Sequence, residues 1–89
     1  MQRQEVVIAN ARGLHARAAA RFVQVACSFR SRIQVARDGR TADGKSILGI
    51  LALLGSQGTR LTISADGSDE GDALRALVEL VAARFGEDG

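Results

Sequence analysis

The 89-residue sequence has no proline, tryptophan or tyrosine, and only one cysteine and one histidine. A single cysteine excludes an internal disulfide. A metal site of ordinary ligand count, with Cys27 and His15 as its only soft ligands, would have to be completed by carboxylates, so neither a metal nor a cofactor is expected. With 46% apolar and 25% charged residues, the missing proline fits an ordered globular chain and not a disordered tail. Long hydrophobic runs are also missing. The opening MQRQEVVIANARG holds no signal-peptide core, and no stretch is long enough to span a bilayer, so a cytoplasmic protein without membrane contact is expected. The length suits one domain over residues 1–89. Acids are scarce early: up to Arg37, the arginines Arg3, Arg12, Arg17, Arg21, Arg30, Arg32 and Arg37 face Glu5 alone, whereas Asp66, Asp69, Glu70, Asp72, Glu79, Glu87 and Asp88 gather late. A net charge of +2 therefore hides a basic face suited to an anion or an acidic partner.

Residues 4–9 read as a strand with Val6 and Ile8 on one side, broken by Asn10 to Gly13. From Ala16 to Phe29, Arg17, Arg21, Gln24 and Ser28 fall on one helical face and Ala19, Phe22, Val23 and Ala26 on the other. Cys27 on this helix reads as a small buried hydrophobe. Residues 32–37 alternate with Ile33 and Val35 inward, Asp38-Gly39 signals a two-residue hairpin, and 40–42 make the return strand. Ser46 is a natural N-cap for a helix through Leu54 that is apolar almost all round, so part of its surface should stay exposed for a partner. Leu61, Ile63 and Ala65 mark a last strand. A final helix starts near Ser68 or Asp69, carries acids at the positive end of its dipole, packs through Leu74, Leu77, Val78, Val81 and Phe85, and ends at Gly86. The order is β-α-β-β-α-β-α. Because the strands alternate, the sheet needs one wet face, which gives an α+β, two-layer open-faced sandwich: a four-stranded antiparallel sheet with three helices on one face.

The stretch Asn10-Ala11-Arg12-Gly13-Leu14-His15-Ala16-Arg17 joins the first strand to the first helix. His15 falls at the helix start, where free backbone amides and the positive dipole end form an anion site and Arg17 adds a formal charge. The same positive surroundings are expected to leave a ring lone pair free to attack a phosphoryl donor. Helix-end stabilisation of an anion is worth roughly 0.3 to 1 kcal/mol, weak enough for a group that must be released again. Gly13 is expected to supply a positive φ that turns the chain and exposes the ring.

Gly13-Leu14-His15-Ala16-Arg17 resembles the active-site motif of the HPr family, the histidine-containing phosphocarriers of the bacterial phosphoenolpyruvate-dependent phosphotransferase system. Gly44-Lys45-Ser46-Ile47-Leu48-Gly49-Ile50-Leu51 resembles that family's regulatory serine and helix, and the element order agrees over essentially the whole chain. The resemblance implies phosphorylation of His15 on Nδ1 by enzyme I and transfer to an EIIA-type acceptor. Arg17 would assist, and the Ala16 and Arg17 amides would hold the phosphate. It implies a docking surface of Ala16, Ala20, Ile47, Leu48 and Leu51, and regulatory phosphorylation at Ser46 by an HPr kinase/phosphorylase. The protein would be a phosphoryl-transfer intermediate and not a free-standing enzyme, and it is expected to be a monomer. One departure is Ala18, where most members have proline: the helix survives, but a backbone donor is added near the phosphate. Some members of the nitrogen-regulatory branch share it, which weakens a sugar-transport assignment more than the carrier assignment.

Three rival readings stand beside this one: a nucleic-acid-binding module, a small-molecule regulatory domain, and an HPr-like protein acting only as a regulator. A nucleic-acid-binding module of related element order would stack bases on strand aromatics, but Phe22, Phe29 and Phe85 all fall on predicted helices, so no nucleic acid is expected. An HPr-like regulatory protein would bind partners without obligatory phosphoryl transfer, and the presence of His15 argues against it.

Overall fold

The computed structural model describes residues 1–53 and 55–87. Alternating apolar residues build four strands, β1 (Gln2–Val7), β2 (Arg32–Arg37), β3 (Arg40–Asp43) and β4 (Arg60–Asp66). They form one antiparallel sheet in the order β1-β4-β2-β3. Between them lie α1 (Ala16–Cys27) and α2 (Ile47–Ala52), and α3 (Glu70–Ala82) follows, trailed by a 3-10 turn at Arg84–Gly86. The expected α+β order and antiparallel sheet are both present.

Val6, Ile33, Val35, Ala42, Leu61, Ile63 and Ala65 point from the strands into one core, which Ala18, Ala19, Phe22, Val23 and Ala26 of α1 and Ala73, Leu74, Leu77 and Val81 of α3 close. The opposite face, with Arg3, Glu5, Arg32, Gln34, Thr41 and Arg60, is exposed, as period-two alternation requires. The Asp38-Gly39 hairpin forms as read: both residues have positive φ, 48° and 82°, and Arg37 pairs with Arg40. That is the primed geometry matching strand twist.

Boundaries differ from the sequence reading where tertiary pairing decides them. β1 begins at Gln2 because Gln2 already pairs with Ala65, and the strand closes at Val7 opposite Arg60. Ile8 still exchanges bonds with the loop after α2, its N–H donating to the Thr59 carbonyl at 2.9 Å and its carbonyl accepting from the Gly58 N–H at 2.8 Å. β3 runs one residue further, to Asp43 opposite Gln34. α1 ends at Cys27, two residues early, where the Ser28 hydroxyl donates to the Val25 carbonyl. Phe29 therefore lies beyond the helix. The expected burial of Cys27 is wrong: it is exposed, because it continues the outward stripe of Ala20 and Gln24 at helical spacing. In α2, Ile50 is buried and Ile47 and Leu48 are exposed, and the C-cap Leu53 is buried, so the expected excess of apolar surface is present; Leu54 lies outside the described residues. α3 stops at Ala82, and Phe85 packs from the separate turn.

The N-terminus of α3 is tied to the segment after α1. Asp69 accepts from the Arg30 and Ser31 amides at 2.8 and 2.9 Å and from the Ser31 hydroxyl at 2.5 Å. Led by the Ser31 hydroxyl, these donors lower its pKa from 3.8 to about 2. A carboxyl depressed in the folded state stabilises it above the unfolded pKa, and that contribution is lost as pH falls toward the folded value. Asp69→Asn is thus expected to melt below the wild type at neutral pH. Thermal melts across acid pH should show the gap shrinking from about pH 4 downward and closing near about pH 2.

Candidate functional site

The chain leaves β1 into a turn built on Asn10. This residue is fully buried, and its side-chain amide donates to the Gly13 carbonyl at 2.9 Å. Gly13 has φ of 67°, as expected. A Cβ there would lie 2.4 Å from the Gly55 carbonyl oxygen and 2.8 Å from Ser56 Cα, so close backbone approach demands glycine as firmly as the dihedral does. Leu14 then donates to the Gly55 carbonyl at 2.7 Å and buries its side chain, which pins the strand-to-helix turn against the loop after α2.

His15 follows as the N-cap of α1, with extended backbone, φ −91° and ψ 177°. Its Nδ1 accepts from the Arg17 amide at 3.3 Å, and its carbonyl accepts from Ala19 at 2.9 Å. Serine, threonine or aspartate usually fills this role; here an imidazole nitrogen does, so the predicted meeting of ring and open amides is present. Ala16 and Arg17 are exposed, and α1 continues through the buried Ala18.

The sequence reading surrounds the ring with positive charge only; the structure corrects this. Glu87, far along the chain, hydrogen-bonds His15 Nε2 through Oε2 and accepts from the Asn10 amide through Oε1 at 2.8 Å. Desolvation raises the Glu87 pKa, but the hydrogen bonds from Asn10 and His15, with the nearby Arg12 charge, outweigh it and hold the carboxyl below its usual range. It is therefore ionised at neutral pH. Arg12, Arg17, Arg21, Ala11, Phe85, Gly86 and Glu87 line a depression of about 420 Å³. Glu87 is delivered there by the C-terminal turn, where Phe85 is buried and Arg21 Nη1 donates to the Phe85 carbonyl at 2.9 Å. Arg84 and Phe85 sit at φ 57° and 55°, at a cost of about 1–2 kcal/mol each. Burial of Phe85 returns about 1.5–3 kcal/mol and the hydrogen bond about 1 kcal/mol, so the two sides nearly cancel. In the sequence Glu87 reads only as one of the late acids; Phe85, an apolar residue two positions before it, is the signal that this segment packs back on the domain.

The remaining predicted residues lie on the neighbouring surface, where α1 and α2 pack together. Ser46 caps α2, its hydroxyl accepting from Gly49 at 3.1 Å. Ile47 and Leu48 are 44% and 80% exposed, Ala20 is exposed and Leu51 half-buried.

An open-faced sandwich that offers one imidazole at a helix cap, flanked by arginines and an exposed apolar surface, has the form of a small carrier domain. The family model described as "PTS HPr component phosphorylation site" matches residues 2–83. The phosphocarrier protein HPr of Cupriavidus necator is 44% identical over 87 residues, 98% of each chain. The crystal structure of HPr-C-His from Thermoanaerobacter tengcongensis is 46% identical, with a TM-score of 0.96 over 100% of each chain. A dimer of HPr from the same organism is 47% identical, with a TM-score of 0.79 over 98% of this chain and 100% of that one. The chain belongs to the HPr family of phosphocarriers of the phosphotransferase system.

Gly13→Ala is expected to destabilise the fold by at least about 1–3 kcal/mol for the strained φ alone, with the overlap on Gly55 adding to it. Urea unfolding monitored by circular dichroism measures the loss.

Proposed function

We propose that this protein accepts a phosphoryl group from phosphorylated enzyme I on His15 Nδ1 and passes it to an EIIA-type protein, acting as a cytoplasmic monomer. The observation that carries this reading is the position of Nδ1, which faces the Arg17 amide at the open end of α1. A phosphoryl group on Nδ1 comes to lie over the same amides, those of Ala16 and Arg17, where a helix end favours negative charge. The Nδ1 lone pair attacks phosphorus while the bond to the donor breaks with its electron pair going to the donor. Arg17 supplies charge to the transferring group. The modest strength of helix-end binding keeps the group transferable.

Docking is assigned to Ala16, Ala20, Ile47, Leu48 and Leu51. Leu48, at 80% exposure, has the surface of a contact residue and not of a core one. A phosphoryl group on Ser46, added by an HPr kinase/phosphorylase, would bring about two negative charges beside this patch and hinder enzyme I.

Incubation with enzyme I and phosphoenolpyruvate is expected to add one phosphoryl mass that mild acid removes and that His15→Ala abolishes. No gain with enzyme I of the same organism would instead favour a regulatory protein that binds without transfer. Leu48→Asp is expected to change stability by no more than about 0.5 kcal/mol while slowing phosphorylation by enzyme I, read from the initial rate of mass gain.

A further inference from the structure

We propose that Glu87, held by Asn10, is a positioning residue that keeps the His15 proton on Nε2 and so leaves the Nδ1 lone pair as the nucleophile. The inference rests on the phosphocarrier reading above and adds to it the group that selects the nitrogen. Each ring nitrogen meets a neighbour with only one hydrogen-bonding capacity. Nε2 meets the Glu87 carboxylate, which when ionised only accepts, so Nε2 must donate. Nδ1 meets the Arg17 backbone N–H, which only donates, so Nδ1 must accept. Of the three protonation forms of the ring, the Nε2–H tautomer alone satisfies both contacts. The other tautomer fails twice, and the imidazolium opposes a proton to the Arg17 amide.

The carboxylate is fixed from behind by the buried Asn10 amide, which bridges Glu87 Oε1 and the Gly13 carbonyl. The turn that presents the ring and the group that orients it thus share one anchor, much as orienting carboxylates fix histidine tautomers elsewhere. The other charges about the site are Arg12, Arg17 and Arg21, none of which accepts a proton from Nε2.

The consequence for transfer follows from charge. When Nδ1 bonds phosphorus and Nε2 keeps its proton, the ring becomes cationic, and Glu87 faces that charge. When the phosphoryl group leaves, the P–N electron pair returns to Nδ1 and the ring departs as neutral imidazole and not as an imidazolate. No proton has to move in either direction.

The test uses the full chain labelled with nitrogen-15 in its histidine ring. At mildly alkaline pH the wild type is expected to show a proton-bearing Nε2 and a bare, pyridine-like Nδ1. Glu87→Gln, whose amide oxygen still accepts, should retain this pattern. Glu87→Ala should lose the Nε2–H signal to solvent exchange, with an unchanged backbone amide spectrum showing that the fold is intact. Onward transfer from the phosphorylated Ala variant should slow on the order of tenfold, as loss of an imidazole-orienting partner does, with Gln restoring part of it. A wild-type ring pattern in Glu87→Ala, or transfer at the wild-type rate, overturns the role of Glu87 while leaving the carrier reading standing. Absence of any acid-labile phosphoryl gain on the wild type overturns the carrier reading itself, and with it the role in transfer.

Discussion

The hydrogen bond from the Arg17 amide to His15 Nδ1 is the constraint on which the rest of the site depends, because it makes one side chain both the cap of α1 and the candidate nucleophile. A helix must satisfy its first amides with something, and in most helices that partner is a small oxygen-bearing side chain chosen for stability. Here the same amides sit where an anion on the ring would need them. Capping in the resting protein and the proposed phosphate binding in the charged one would draw on the same donors, so the helix end could exchange one partner for the other without rebuilding the backbone.

That economy demands a rigid approach to the ring. Gly13 lies so close to Gly55 and Ser56 that a single methyl would collide with backbone, and Leu14 is bonded to Gly55 and buried. The loop after α2 therefore supports the turn before α1, and through it the position of the ring relative to the exposed apolar residues of α2. A partner seated on Ile47 and Leu48, as proposed, would meet the imidazole in a fixed relation, so that a ring beside an open depression is still presented as a defined chemical group. The C-terminal turn that carries Glu87 is held by buried Phe85, by the Arg21 bond to the Phe85 carbonyl, and by the Asn10 and His15 contacts of Glu87 itself.

Most of the architecture was legible because it rests on local periodicity. Alternation set the strands and the wet face, Asp38-Gly39 set the hairpin, and Ser46 set the start of α2. What was misread has a common cause. The end of α1, the extent of β1 and β3, and the stop of α3 before Phe85 are decided by pairing partners and caps. Residue type suggests a buried Cys27, whereas its helical phase with Ala20 and Gln24 puts it outside.

By itself the sequence determined the element order, the one-sided sheet, and the placement of a single histidine between a glycine and an arginine at a helix start, since each follows from residues within a few positions of one another. Only the tertiary structure decided that Glu87 meets Nε2 and that buried Asn10 holds it there. That contact joins residues 72 apart in the chain. No periodicity encodes it, because it depends on where Phe85 finds room in a core assembled from every other element.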